Sequence, residues 1–181
     1  EKSMKKQMKP IALASLALAL LISSTGAAGQ EADVRLNKAI DLLENEEPAF
    51  GLLSFDYSLN NARSLSRSGL DFIIIDMEHA PFDVERIREF LLGMTDKRAI
   101  LENGSLQPDV VPFVRIPASG GEDVLSQVKQ VLDVGAFGVM FPSVNNAAEA
   151  EMAIRASRYP QLNGAGDYEP AGLRGRNPSN A

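Results

Sequence analysis

Residues 76–83, Asp-Met-Glu-His-Ala-Pro-Phe-Asp, bring two carboxylates and an imidazole within four positions. They follow directly on residues 72–75, one phenylalanine and three isoleucines. A short apolar run of that kind reads as a strand buried on both faces. Charged groups at the carboxyl end of such a strand stand where parallel α/β proteins do chemistry. His79 is the only histidine among 181 residues, so any imidazole chemistry falls to it. A second apolar run, residues 110–116, carries Arg115 near its carboxyl end. One imidazole, one guanidinium and the carboxylates Asp76 and Glu78 on a shared rim suit proton abstraction beside an anionic carbonyl compound. Arginine can grip a carboxylate with two parallel N–H bonds. A carboxylate beside the histidine can fix its tautomer and raise its basicity. Asp133 lies near the end of the helical stretch that closes in Leu132-Asp133-Val134-Gly135, where negative charge opposes the helix dipole and needs a specific partner.

The elements that must position these groups alternate. Residues 34–44 have mostly helical apolar spacing, closed by Pro48. Residues 49–55 read as a strand and residues 58–68 as a helix stopped by Gly69. The strand at 70–75 follows. Asp83 then heads a helix with Val84, Ile87, Phe90 and Leu91 on one face. Residues 100–108 read as loop, with Asn103-Gly104 as a turn. Residues 110–116 form the third strand, and Ser119-Gly120-Gly121 a loop. Residues 123–134 read as a helix with Val124, Val128, Val131 and Leu132 inward, stopped by Gly135. Residues 136–141 give the fourth strand, and Asn145 caps a helix through Ala156. The stretch from Arg158 to Ala181 is rich in Gly, Pro and Asn and reads as loop.

Strand followed by helix, four times over, is the βα repeat of a parallel sheet. Two architectures satisfy it, an open sheet or part of a (β/α)8 barrel. A full barrel takes about 250 residues, and roughly 150 follow residue 28 here. The chain therefore reads as an α/β protein made of about the first four βα units of a TIM barrel, ending before a fifth strand. Such a piece alone is expected to be inactive.

Composition narrows the function. Apolar residues make up 45%, enough for a packed core. The absence of cysteine excludes disulfides, thiolate catalysis and thiolate metal sites. Net charge is −6, with four lysines concentrated before residue 10, so the body is more acidic still. That balance argues against nucleic acid as a partner. Lys2, Lys5, Lys6 and Lys9 precede an apolar run at residues 11–22 and a small-residue exit through Ala27 and Ala28. This is the pattern of a secretory signal peptide over residues 1–28. The run is too short to span a bilayer comfortably. A periplasmic or secreted mature protein without stable membrane insertion is expected.

Several segments resemble the HpcH/HpaI aldolase family of metal-dependent pyruvate aldolases. They are I-I-I-D-M-E-H-A-P-F-D at 73–83, V-P-F-V-R-I-P at 111–117, V-K-Q-V-L-D-V-G-A-F-G-V-M-F-P-S-V-N-N-A-A-E-A at 128–150, R-Y-P at 158–160 and G-L-R-G at 172–175. The resemblance implies a (β/α)8 barrel that assembles as a homo-oligomer, usually a hexamer. It implies reversible aldol cleavage of a 4-hydroxy-2-oxo acid to pyruvate and an aldehyde, with a divalent metal such as Mg²⁺, Mn²⁺ or Co²⁺. By the same resemblance His79 is the base that handles the 4-hydroxyl proton, and Asp133 the carboxylate that pairs with it. Arg115 binds the keto acid and steadies the enolate. Asp76 and Glu78 are acidic residues around the metal's waters. The family's direct metal ligands belong to a fifth and a sixth strand. They are therefore expected beyond Ala181, and no residue from Glu1 to Ala181 is assigned as a metal ligand. Two other functions are compatible with the same scaffold. One is a secreted binder of oxo acids or sugar acids without turnover, suggested by the signal peptide. The other is a lyase acting on acyl thioesters, disfavoured by the D-x-E-H-A-P signature.

Overall fold

The computed structural model describes residues 35–118, 124–166 and 168–175. The expected signal peptide, the loop at 119–121 and the expected helix starts at Val34 and Asp123 lie outside them. Four parallel strands, β1 (Gly51–Ser54), β2 (Phe72–Asp76), β3 (Val111–Arg115) and β4 (Gly138–Met140), lie side by side in sequence order. Helix α1 (Lys38–Glu44) precedes them. Helix α2 (Leu59–Leu65) follows β1, and α3 (Val84–Met94) and α4 (Lys97–Asn103) follow β2. Helices α5 (Val124–Asp133) and α6 (Ala147–Ser157) follow β3 and β4. This is the α/β arrangement expected of the first four βα units of a (β/α)8 barrel. Strands β1, β3 and β4 are shorter than their apolar runs, whereas β2 begins at Phe72 and continues one residue past its isoleucines to Asp76. Among the described residues no helix is long and apolar enough to cross a membrane.

The strand period of two decides which groups face which layer. Ile73, Ile75 and Val114 point to the helices and are fully buried. There they meet Ile87, Phe90, Leu91 and Met94 of α3 and Val128 and Val131 of α5. The α3 set recurs at three and four residues, one stripe of a helix. Burying each of these side chains contributes about 1.5–3 kcal/mol. Helix starts are fixed by side-chain oxygens accepting backbone N–H bonds: Asn37 for α1, Ser58 for α2 and Asp83 for α3.

Three local expectations are corrected. Residues 100–103 are helix rather than loop. Asp96 caps α4 by accepting from the N–H groups of Arg98 and Ala99, and Arg98 pairs with Glu102 one turn on. Gly104, in the left-handed region at φ 61°, ends it. Helix α2 stops at Leu65, ahead of Gly69, where the hydroxyls of Ser66 and Ser68 donate back to the carbonyls of Arg63 and Leu65. The cap of α6 is Asn146, one residue later than Asn145. Its side chain accepts from the Glu149 N–H, while the Asn145 side chain donates to the Ser143 carbonyl.

On the other sheet face, Gly51 stands beside Phe72 and Gly138 beside Phe113, and the two rings lie 5.7 Å apart. A methyl group at Gly138 would come within 2.4 Å of the Phe113 ring. Gly138→Ala is expected to destabilise the fold by about 1–3 kcal/mol, the usual cost of overpacking. Urea unfolding of the two proteins measures it, and an unchanged midpoint would contradict this packing.

Candidate active site

Register builds the site. Asp76 ends β2 and Arg115 ends β3, and the two are Cα partners in the parallel ladder. Partners in a ladder share a face. Their side chains therefore meet above Ile74 and Phe113, at the carboxyl ends of the strands. Arg115 Nε donates to Asp76 Oδ1 and Nη2 to Oδ2, both at 2.8 Å. The Asp76 side chain is fully buried and that of Arg115 is 19% exposed. Such a parallel pair is among the strongest polar contacts a protein makes.

A turn then adds the rest. Asp76 Oδ1 also accepts from the Glu78 N–H at 3.0 Å, which ends the strand and swings the chain back over the carboxylate. Glu78 Oε2 meets Arg115 Nη1 at 3.0 Å. His79 Nδ1 lies 3.1 Å from Asp76 Oδ2 and 2.9 Å from Arg115 Nη2. Its side chain is 62% exposed, so the imidazole stands at the surface while its Nδ1 is tied down. Asp76, Glu78, His79 and Arg115 are thus brought into one cluster.

Asp133 is not in it. Residues Val134–Phe137 lead from α5 into the start of β4, and the Phe137 N–H donates to the Pro112 carbonyl near the start of β3. Asp133 therefore lies at the amino ends of the strands, a strand's length from His79. There it binds Lys129 and Arg174, the latter at 2.9 Å. The expectation that Asp133 pairs with His79 is corrected within this chain. The carboxylate on the imidazole is Asp76, because strand register decides that contact. Burial works to raise the Asp133 pKa, and the bonds from Lys129 and Arg174 outweigh it and lower it.

Tyr57 is a neighbour that the sequence reading passed over. It follows β1, and its hydroxyl donates to the Asp76 carbonyl. Burial first, and the Asp76 charge second, raise its pKa. The signal was present: Phe55-Asp56-Tyr57 closes the first apolar run just as Asp76 closes the second.

Arg115 holds the Asp76 carboxyl down at about 2, with the Glu78 N–H and His79 assisting against burial. Asp76 is therefore ionised wherever the protein works. A carboxyl depressed on folding stabilises the native state above the ordinary carboxylate range. That contribution fades as pH falls from there to about 2. Urea midpoints are expected to drop between pH 5 and pH 3 more in the wild type than in Asp76→Asn. Equal drops would remove Asp76 as the cause.

Asp76, Glu78 and His79 each offer a ligand atom within 4.8 Å of the others. Two oxygens and an imidazole nitrogen are donors a divalent cation accepts. The guanidinium of Arg115 already fills the space between them, bonded to both carboxylates and to Nδ1. A cation bound by all three would have to displace it. As arranged, the set fits a guanidinium and not a directly bound metal.

Comparison with known proteins follows the same outline. The HpcH/HpaI aldolase/citrate lyase family model matches residues 55–170. The chain is 38% identical over 135 residues to a 4-hydroxy-2-oxo-heptane-1,7-dioate aldolase from Klebsiella pneumoniae subsp. pneumoniae, across 75% of this chain and 42% of that protein. Among solved structures it resembles an HpcH/HpaI aldolase/citrate lyase family protein from Burkholderia cenocepacia J2315, with a TM-score of 0.61 and 31% identity. That match covers 78% of this chain and 48% of the other. An HpcH/HpaI aldolase from Desulfitobacterium hafniense DCB-2 gives a TM-score of 0.56 and 26% identity, over 78% and 46%. The chain spans less than half the length of these relatives.

Proposed function

Because the chain belongs to the HpcH/HpaI aldolase/citrate lyase family, we propose that it carries the acid–base machinery of a carbon–carbon lyase. The reaction is reversible aldol cleavage of a 4-hydroxy-2-oxo acid to pyruvate and an aldehyde. The observation behind it is the Asp76–His79–Arg115 cluster at the ends of β2 and β3. In cleavage, Nε2 of His79 takes the 4-hydroxyl proton. The C4–O bond becomes the aldehyde carbonyl as the C3–C4 bond breaks. The released electron pair moves onto C3 and the C2 oxygen as an enolate, and a proton delivered to C3 gives pyruvate. Asp76 orients the imidazole and balances the charge it acquires. Arg115 faces the enolate oxygen, where negative charge grows.

Two carboxylates and one guanidinium do not by themselves draw an anion. A divalent cation, Mg²⁺, Mn²⁺ or Co²⁺, would supply the missing positive charge in the whole protein, held by side chains other than these. The homo-oligomer and the periplasmic or secreted location belong to the same proposal. The location rests on the lysine-led apolar segment before residue 29, and cell fractionation tests it.

Pyruvate release from 4-hydroxy-2-oxo acids by the full-length protein tests the activity. Release at equal rates by wild type and His79→Ala would overturn the mechanism. One observation favours a second reading, binding without turnover: the lysine-led apolar segment before residue 29 suggests export, away from the usual site of catabolic aldol chemistry. Calorimetry showing keto-acid binding by a protein that releases no pyruvate would select it.

A further inference from the structure

His79 Nδ1 has two neighbours it cannot satisfy together. The bond to Asp76 Oδ2, 3.1 Å away, requires the ring proton on Nδ1. The bond from Arg115 Nη2, 2.9 Å away, requires a lone pair there. A neutral imidazole offers one or the other. The choice decides catalysis, because it decides which tautomer presents Nε2 as an acceptor.

We propose that Arg115 is a positioning residue for the His79 ring proton, holding it on Nε2 before substrate binds and releasing it to Nδ1 when substrate arrives. This rests on the aldol reading of the site. Before binding, the carboxylate is already served. Asp76 accepts from Nε, from Nη2 and from the Glu78 N–H. The second Nη2 proton has Nδ1 as its acceptor. A proton on Nδ1 would face that N–H head-on, so the imidazole keeps its proton on Nε2 and the base is disarmed.

A keto acid changes the order of preference. Nε, both Nη2 protons and one Nη1 proton of the guanidinium are engaged within the cluster. Gripping two substrate oxygens needs more than the remaining Nη1 proton. A carboxylate brings a full opposite charge to the guanidinium and a neutral imidazole brings none. The bond to the neutral imidazole is therefore the one that yields. Once Nη2 turns to the substrate, the ring proton moves from Nε2 to Nδ1 through solvent, with no net gain or loss of protons. Nδ1–H then donates to Asp76, and Nε2 is left as the base. Occupancy by substrate arms the histidine.

Nitrogen-15 NMR of histidine-labelled full-length protein tests this, with His79→Gln identifying the signals. Oxalate, shaped like the pyruvate enolate, serves as the probe. Without ligand, the shifts are expected to show a proton mostly on Nε2; with oxalate, mostly on Nδ1. Arg115→Met and the charge-retaining Arg115→Lys are each expected to show Nδ1–H without ligand. Oxalate binding with an unchanged tautomer would overturn the proposal. So would folded Arg115 variants that keep the wild-type pattern. Failure of oxalate to bind would instead count against the aldol reading, and the ligand-free Arg115 comparison would still decide the tautomer question.

Discussion

Replacing His79 by glutamine is expected to lower kcat/KM for pyruvate release by roughly 10²–10⁴-fold, the usual contribution of a positioned proton acceptor. Glutamine keeps a polar side chain of similar reach but cannot take a proton. The His79 side chain is mostly exposed, so stability should stay within about 0.5 kcal/mol of wild type. The two readouts together discriminate. Lost turnover with an unchanged urea midpoint places the effect on chemistry. Parallel losses of both would make the imidazole a structural group and remove the base from the mechanism.

Asp76→Ala should behave in the opposite way. Its carboxylate is fully buried, takes both arms of Arg115 and also accepts from the Glu78 N–H and contacts His79. Deleting it removes two carboxylate bonds from a largely buried guanidinium and leaves Arg115 with Glu78 as its remaining acidic partner. Breaking a buried pair by removing one partner costs about 3–5 kcal/mol, a large part of the whole stability of a small domain. Activity should vanish with it. The double variant Asp76→Ala/Arg115→Met removes both charges and should recover part of the loss, because the guanidinium is gone along with its carboxylate, although Glu78 then loses Arg115. Chemical unfolding of the three proteins measures the coupling. Additive losses would show that the two side chains do not depend on each other.

The sequence made the strand-end grouping legible because composition alone marks a buried strand and the acids that close it. Asp76, Glu78, His79 and Arg115 were all found that way. It did not reveal which acid touches the imidazole. The family resemblance pointed to Asp133, but ladder register brings Asp76 to Arg115, and register cannot be read from one chain without its partner strand. Helix α4 was missed for a different reason. It buries none of its residues, so it has no apolar period to detect and owes its form to the Asp96 cap and Gly104. Asn145 and Asn146 are both good caps by residue type, and only backbone geometry separates them.

The Asp76–Arg115 ladder pair also constrains how the chain can be assembled. Sliding β3 by one residue along β2 would turn every side chain to the opposite face. Arg115 would then enter the helix layer, beside Ile75 and Met77, with no carboxylate to meet it. A lone charge in hydrocarbon costs more than the rest of such a strand could recover. The residues that handle protons therefore also act as the alignment key of the sheet. A misthreaded protein would lose its stability and its chemistry in the same step.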